Sequence, residues 1–489
     1  MAKLFIFQNI SIVMKTTLLI LLVCLFSHAS HGQTQTNDSL ADAVRFIDAW
    51  LEAQHAYEHL PGISVGIVKD QQLIWSKGYG LSDVKKNIPT TPGTVYSICS
   101  ISKLFTAIAI MQLYENGKLR LDDSVSTLLP GFNIRQQFKE SGPITIRSLL
   151  THSSGLPRES DFPYWTGPDF QFPTQQQVAD KLGKQQTLYP ASTYFQYSNL
   201  GMTILGEVVE KVSGKPYDVY VEENILKPLR LANTHPYLPA AQWGNKMATG
   251  YSSIKRDGTR EILPLFDTRG IKAAAGFSST VEDLAHFASW QFRLLKNGGK
   301  EILNAVTLKE MQRVHWVDPD WKIHWGLGFV VYQQNGKTLM GHSGSCPGYR
   351  TTILIEPKEK FAYIVMMNAM DNPGMYANQM RNIILKSQKE KPVNADSIDL
   401  TQYTGRYNAQ PWGSEMKILT WYGKLAIVDF PSDSPLEDMA LLQHVKDDVF
   451  RRIRKDETLG EEITFERDKK TGKIIRMWDH SNFSVKLPP

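Results

Sequence analysis

Residues 104–114, LFTAIAIMQLY, have helical spacing but no polar face. Leu, Phe, Ala, Ile and Met fall on every side, so this helix cannot lie on a surface and must run through the centre of a domain. Asn116-Gly117 follows as a C-terminal cap. Ser100-Ile101-Ser102-Lys103 precedes it and is drawn into the interior with the first turn. A chain of 489 residues, 42% hydrophobic and 21% charged, can build such a core and holds two or three folding units.

The elements around this helix follow from periodicity. Residues 39–57 place Leu40, Val44, Ile47 and Leu51 on one helical face. Two strand-like runs follow, ISVGIV and QQLIWSKGYG, with Lys69-Asp70 between them. Residues from about 100 to 320 read as mostly helical with Pro- and Gly-rich loops. Strands then return as LGFVVYQ, an Asn335-Gly336 turn, TLMGHSG, YRTTILIE and FAYIVMMNA, before a helix over about 375–387. The order predicts an α+β fold: an antiparallel sheet flanked by helices, plus an all-helical lobe. Residues 388–399 are polar, carry Pro392 and read as a linker. Strand signals from Leu400 to the end predict a small all-β barrel or sandwich, folding by itself or docking near the cleft as a lid or binding module.

The first 32 residues read as an export signal. Lys15 precedes the apolar run Leu18–Phe26, and Ser30-His31-Gly32 offers small residues at a cleavage site. Met14-Lys15 could open a compact signal by itself. The run is short for a membrane span, so no stable span is expected after cleavage. Cys24 lies inside the run, which disfavours a lipid-anchor reading. An exported chain, periplasmic or secreted, retains two cysteines, Cys99 and Cys346, in an oxidising compartment. Three cysteines in all exclude a disulfide scaffold and a four-cysteine zinc site. A net charge of +5 without a basic block gives no reason to expect a nucleic-acid partner. Neither H-E-x-x-H nor G-x-x-x-x-G-K-[ST] occurs, and no metal or cofactor is expected.

Two motifs compete as a serine nucleophile. Gly62-Ile63-Ser64-Val65-Gly66 matches G-x-S-x-G, but that elbow needs a strand, a sharp turn and a helix, and here a second strand follows. Ser100-x-x-Lys103 sits where the buried helix begins. A serine there lies at the positive end of the helix dipole, where an oxyanion is stabilised. Lys103 is one turn on, within reach of the hydroxyl, and a desolvated lysine can act as a base. Tyr197-Ser198-Asn199 precedes an amphipathic helix ending at Gly214, and His342-Ser343-Gly344 lies on a strand after the Asn335-Gly336 turn. Either triplet alone is weak; His152 in THSSG is read as structural.

In this order the motifs resemble the serine β-lactamase and penicillin-binding-protein superfamily, in particular the class C-like branch with D-Ala-D-Ala carboxypeptidases, D-aminopeptidases and esterases. That family carries S-x-x-K, Y-x-N, and K-T-G or H-x-G on a strand lining the cleft. The resemblance covers about 40–387 and includes LLTHSSGLP (149–157) and AAAGFSSTVEDLAHF (273–287). It implies Ser100 as the acylated nucleophile and Lys103 as its base, shared with Tyr197. Tyr197 would pass a proton to the leaving group. Asn199 would bind the substrate amide, with Ser343 and Gly344 on the binding strand. The N–H groups of Ser100 and Ser345 would form the oxyanion hole, and His342 would take the cationic position usually held by lysine. In the implied fold Cys99 and Cys346 would be neighbours, a disulfide candidate resembling the one in class A carbapenemases. The strands beyond Leu400 resemble lipocalin-like tails of some members.

The domains expected are thus a signal (1–32), a hydrolase domain (33–387), a linker (388–399) and a β domain (400–489). The expected function is an exported serine hydrolase forming a Ser100 acyl-enzyme. Its substrate would be a short peptide, an amide (including those with a D-residue) or an ester, cell-wall-derived compounds among them. The alternatives are a true β-lactamase, and a penicillin-binding sensor or interaction protein that turns over slowly.

Overall fold

The computed structural model describes residues 40–391 and 398–488. The expected leader and the middle of the expected linker lie outside the described residues. Helix α1 (Ala41–Tyr57) buries Phe46, Ile47, Trp50 and Leu51. It leads into a hairpin of β1 (Gly62–Lys69) and β2 (Gln72–Asp83). The central helix α2 (Ser102–Glu115) is buried at every residue from Ser102 to Leu113, as a helix without a polar face must be. Gly117 at φ +65° ends it in the left-handed conformation expected after the cap. Helices α3 (Asn199–Ser213) and α4 (Val281–Asn297) pack around it.

The remaining strands are β3 (Val330–Gln334), β4 (Lys337–Cys346), β5 (Tyr349–Glu356) and β6 (Phe361–Met367), followed by α5 (Pro373–Ser387). Asn335 and Gly336 both take positive φ, as a two-residue hairpin turn requires. The order is β2-β1-β6-β5-β4-β3, antiparallel throughout, and two-residue strands at the edges bring the sheet to nine. The first hairpin therefore lies beside the last long strand.

Alternation gives each strand two apolar faces. Ile63, Val65 and Ile67 of β1, with Tyr363 and Val365 of β6, face α1 and α5. Val68, Ala362, Ile364 and Met366 face the cluster around α2 and α4. Ser64 is buried in β1, its Oγ donating to the Thr91 carbonyl at 2.8 Å and meeting the Tyr96 hydroxyl at 2.9 Å. The G-x-S-x-G motif is thus a strand, not an elbow. Among the described residues, no helix is long and apolar enough to cross a membrane.

Between residues 116 and 320 the structure differs from the mostly helical expectation. Long irregular segments separate the helices, and short backbone bridges tie them down. A two-residue ladder of Tyr96–Ser97 with Ser278–Ser279 anchors the turn that carries Ser100.

The C-terminal part is the small β domain the strand signals predict. Strands β7 (Gly405–Asn408), β8 (Glu415–Trp421), β9 (Lys424–Phe430), β10 (Ala440–Lys446), β11 (Val449–Ile453), β12 (Leu459–Arg467), β13 (Ile474–Asp479) and β14 (Asn482–Val485) form one antiparallel meander. A bridge between Tyr407 and Lys486 brings its two ends together, nearly closing a barrel. Leu425 and Ile427 point into this barrel. Ala426, Val428 and Phe430, with Trp421, point out and join the core of α1 and α5. The barrel therefore sits on the sheet face opposite α2, and none of its residues lines the cavity at Ser100. The lid-like placement near the cleft is corrected accordingly: the outward apolar side chains of β8 and β9 match the helical face, not the cleft.

Candidate active site

Ser100 lies in a 3-10 turn, Cys99–Ile101, and the α-helix itself starts at Ser102. The turn is pinned by Cys99 at φ +50° and by a bond from the Ser102 hydroxyl to the Cys99 carbonyl. Ser100 is half-buried, whereas Lys103 is fully buried. The Lys103 Nζ lies 3.1 Å from Ser100 Oγ. It donates to Asn199 Oδ1 and to the Ala274 carbonyl, each at 2.8 Å. Burial pushes its pKa down to about 7, against the pull of Glu159. A neutral amine has two N–H bonds and one lone pair. Two carbonyl oxygens take the N–H groups, which leaves the lone pair for the Ser100 hydroxyl.

Ser198 caps α3 by accepting from the Gly201 N–H at 2.8 Å, and this cap sets Tyr197 and Asn199 at the junction. Tyr197 hydrogen-bonds Ser100, and burial raises its phenol pKa, so it stays protonated at neutral pH. Lys103 Nζ and Arg158 Cζ each lie 4.9 Å from its ring centroid. The structure thus separates a lysine able to take a proton from a tyrosine able to give one.

His342 is buried, with Nδ1 2.7 Å from the Ser343 carbonyl and Nε2 without a hydrogen-bond partner among the described residues. Desolvation, with Lys103 nearby, lowers its pKa to about 3. The expected cationic role is corrected: the imidazole is neutral in the working range, and its Nε2 is a hydrogen-bond acceptor. The cations on the cavity wall are Arg158 and Arg350. Arg158 pairs with Glu159 at 3.1 Å. Arg350, opposite Ser345 in the β4–β5 register, has a buried Nε without a hydrogen-bond partner among the described residues.

Strand β3 pairs with β4 only as far as Gly341, so beyond it, from His342 to Cys346, β4 presents an open edge. Ser343, Gly344 and Ser345 line the same cavity of about 700 Å³ as Ser100, Tyr197 and Asn199. A Cβ at Gly344 would lie 2.2 Å from the Ile98 carbonyl, so only glycine lets β4 approach the turn before Ser100 this closely. Trp165, Phe170, Leu263 and Met370 supply apolar wall.

Cys99 and Cys346 are hydrogen-bonded neighbours, both buried and both free thiols. The expected neighbourhood is present; the disulfide is not formed in this structure. His152 accepts from the Ser198 N–H at 3.2 Å and packs tilted against Tyr197 with centroids 4.4 Å apart, which agrees with a structural reading. Glu159 is absent from the expected set. It accepts from Asn199 Nδ2 at 2.8 Å and from the Tyr164 hydroxyl, and so fixes the amide that holds Lys103. No local pattern marks it, although it directly follows the LLTHSSGLP stretch and Arg158. Among the described residues no group of three metal-ligating side chains occurs.

A family model described as Beta-lactamase matches residues 47–387. Protein flp of Staphylococcus aureus (strain NCTC 8325 / PS 47) is 27% identical over 383 residues, covering 76% of this chain and 71% of that protein. The octameric penicillin-binding protein homologue from Pyrococcus abyssi has a TM-score of 0.63 at 26% identity, covering 91% of this chain and 100% of its own. A β-lactamase/D-alanine carboxypeptidase from Yersinia pestis, in complex with citrate, has a TM-score of 0.61 at 22% identity, covering 72% of this chain and 100% of its own.

Proposed function

Because the chain belongs to the Beta-lactamase family, we propose that it is an exported serine hydrolase that cleaves short peptides, amides or esters through an acyl-enzyme on Ser100. The observation that carries this reading is the Lys103 amine, held by two carbonyl acceptors with Ser100 Oγ at 3.1 Å. Lys103 takes the hydroxyl proton as Ser100 attacks the acyl carbon. The N–H groups of Ser100 and Ser345 hold the oxyanion, Tyr197 gives a proton to the leaving group, and Asn199 orients the acyl amide. Tyr197 regains its proton from the Lys103 ammonium; water then attacks the ester carbonyl, giving one proton to Lys103, which passes it to Ser100 Oγ as the acid leaves. Export rests on Lys15 and the apolar run after it.

A panel tests the reading: a fluorophosphonate, a labelled penicillin, nitrophenyl esters and D-amino-acid amides, read by intact mass and turnover. Labelling of Ser100 with turnover of an ester or amide supports it. Penicillin turnover alone would favour β-lactamase activity, which the Yersinia neighbour's name includes. Penicillin labelling without release would favour a sensor.

The base makes a pH prediction. Lys103 is neutral above a pKa of about 7, so the acylation rate rises as pH passes through that value and then levels off. A rate flat from pH 5 to 9 would remove lysine as the base. His342 contributes no step in this range.

Arg350 takes over the anion-holding role expected of His342. Arg350→Gln should raise KM at least about 10-fold for a substrate with a free carboxylate and leave its neutral amide analogue unchanged, as for loss of a charge-assisted contact. Equal loss for both substrates would exclude the role.

A further inference from the structure

A second cavity of about 440 Å³ opens on the outer side of α3. Thr203, Gly206, Glu207 and Glu210 line it from α3 at helical spacing, and the segment 267–273 forms the facing wall. Its polar groups are unevenly satisfied. Glu210 accepts from the Tyr217 N–H at 2.9 Å and from Gln175 Nε2 at 2.8 Å. Lys272 pairs with Asp218 at 3.2 Å, Arg269 donates to the Phe172 carbonyl at 3.3 Å, and Asp267 accepts from the Arg269 N–H at 2.9 Å. Two groups are left over. Thr203 is 2% exposed and its Oγ1 has no hydrogen-bond partner among the described residues. The Glu207 carboxylate has no hydrogen bond or ion pair among the described residues.

We propose that this cavity binds a small organic ligand through a primary ammonium group, with Glu207 as counter-ion and Thr203 Oγ1 as a second acceptor. The two side chains are four residues apart on one helix and so project to one spot. Tyr237 adds an aromatic wall suited to an organic cation. One free carboxylate and one hydroxyl are too few oxygens for calcium, and the volume is that of a small-molecule site. Burial and the neighbouring Glu210 raise the Glu207 pKa to about 7, as befits a carboxylate lacking its cation.

The site has no lining residue in common with the catalytic cavity, but the central helix reaches its edge. Thr106, one turn beyond Lys103, donates to the Ala273 carbonyl at 2.6 Å, and Lys103 itself donates to Ala274. The proposal is nonetheless independent of the reaction assigned to Ser100, because neither Glu207 nor Thr203 lines that cavity.

Calorimetric titration of the mature chain tests it, with n-propylammonium as ligand, 1-butanol as uncharged isostere and potassium chloride as salt control. At pH 8 the amine should bind one site saturably, in the millimolar range or tighter. Binding should weaken at least about 10-fold in Glu207→Gln and measurably in Thr203→Val, as expected for a lost charge pair and a lost acceptor. It should be unchanged in Ser100→Ala. Between pH 8 and pH 6 it should weaken about 10-fold, as Glu207 takes a proton. Equal affinity in Glu207→Gln, equal binding of the alcohol, or no saturable binding of the amine would overturn the proposal. If Glu207→Gln misfolds, Thr203→Val alone carries the test, and unchanged affinity there overturns the two-acceptor site.

Discussion

Ser100→Ala should leave a folded protein that no longer takes up fluorophosphonate, with hydrolysis lowered at least about 10³-fold, as for removal of a nucleophile. The fold should survive because Ser100 is half-buried in a turn held by the bond from the Ser102 hydroxyl to the Cys99 carbonyl, without the Ser100 hydroxyl. The two carbonyl acceptors of Lys103 also remain. Intact mass of probe-treated wild type and variant reads the result directly. A probe adduct on the variant would place the nucleophile elsewhere. Ser64→Ala is the matching control and should keep its adduct, because Ser64 is buried in β1 with its hydroxyl already engaged.

Deleting everything after Lys391 should yield an aggregating chain, not a soluble hydrolase. The barrel covers Phe46 and Trp50 of α1, both at most 1% exposed, and Tyr376 of α5. Polar bonds would be broken as well. Trp50 Nε1 donates to the Ser432 carbonyl at 2.8 Å, and the Ser432 N–H donates to Gln54 Oε1 at 2.8 Å. Asp42 accepts from the Tyr422 N–H at 2.7 Å. Truncation therefore exposes large apolar side chains and strands polar groups together. Trp421→Ala probes the same contact in the full chain and should cost about 3–5 kcal/mol, the range for a buried aromatic. Sedimentation and thermal melting check both. A monodisperse truncated protein with an unchanged melting temperature would show that the hydrolase core is complete without the barrel.

The polar stretch at 388–399 suggested a severable tail, and the strand signals after it were sound. What the sequence hid was the outward face of β8 and β9. Ala426, Val428 and Phe430 alternate with Leu425 and Ile427, so both faces of one strand are apolar. Period two alone does not say which neighbour covers each face. Around the site, Ser100, Lys103, Tyr197 and Asn199 were legible because each sits at a fixed offset from a helix start. Glu159 and Arg158 were not, because an irregular segment brings them to the site at no fixed offset from a helix or strand. The identity of His342 was legible and its charge was not. Protonation there depends on burial beside Trp325 and Tyr197 and on the nearby Lys103 amine, none of which the triplet reveals.

The seam between α1 and the barrel also bears on the order in which the molecule can be assembled during synthesis. Asp42 and Tyr422, joined by a hydrogen bond, are 380 positions apart. Phe46 and Trp421 meet edge to face at 5.8 Å. The first helix of the described residues must wait for partners made in the last fifth of the chain. The β1–β2 hairpin likewise waits for β6 to close the sheet. Such long-range closure is slow, because the entropy of the loop is spent before any contact repays it. Until then Trp50 and its neighbours stay uncovered, and apolar surface exposed for that long is open to association with other chains.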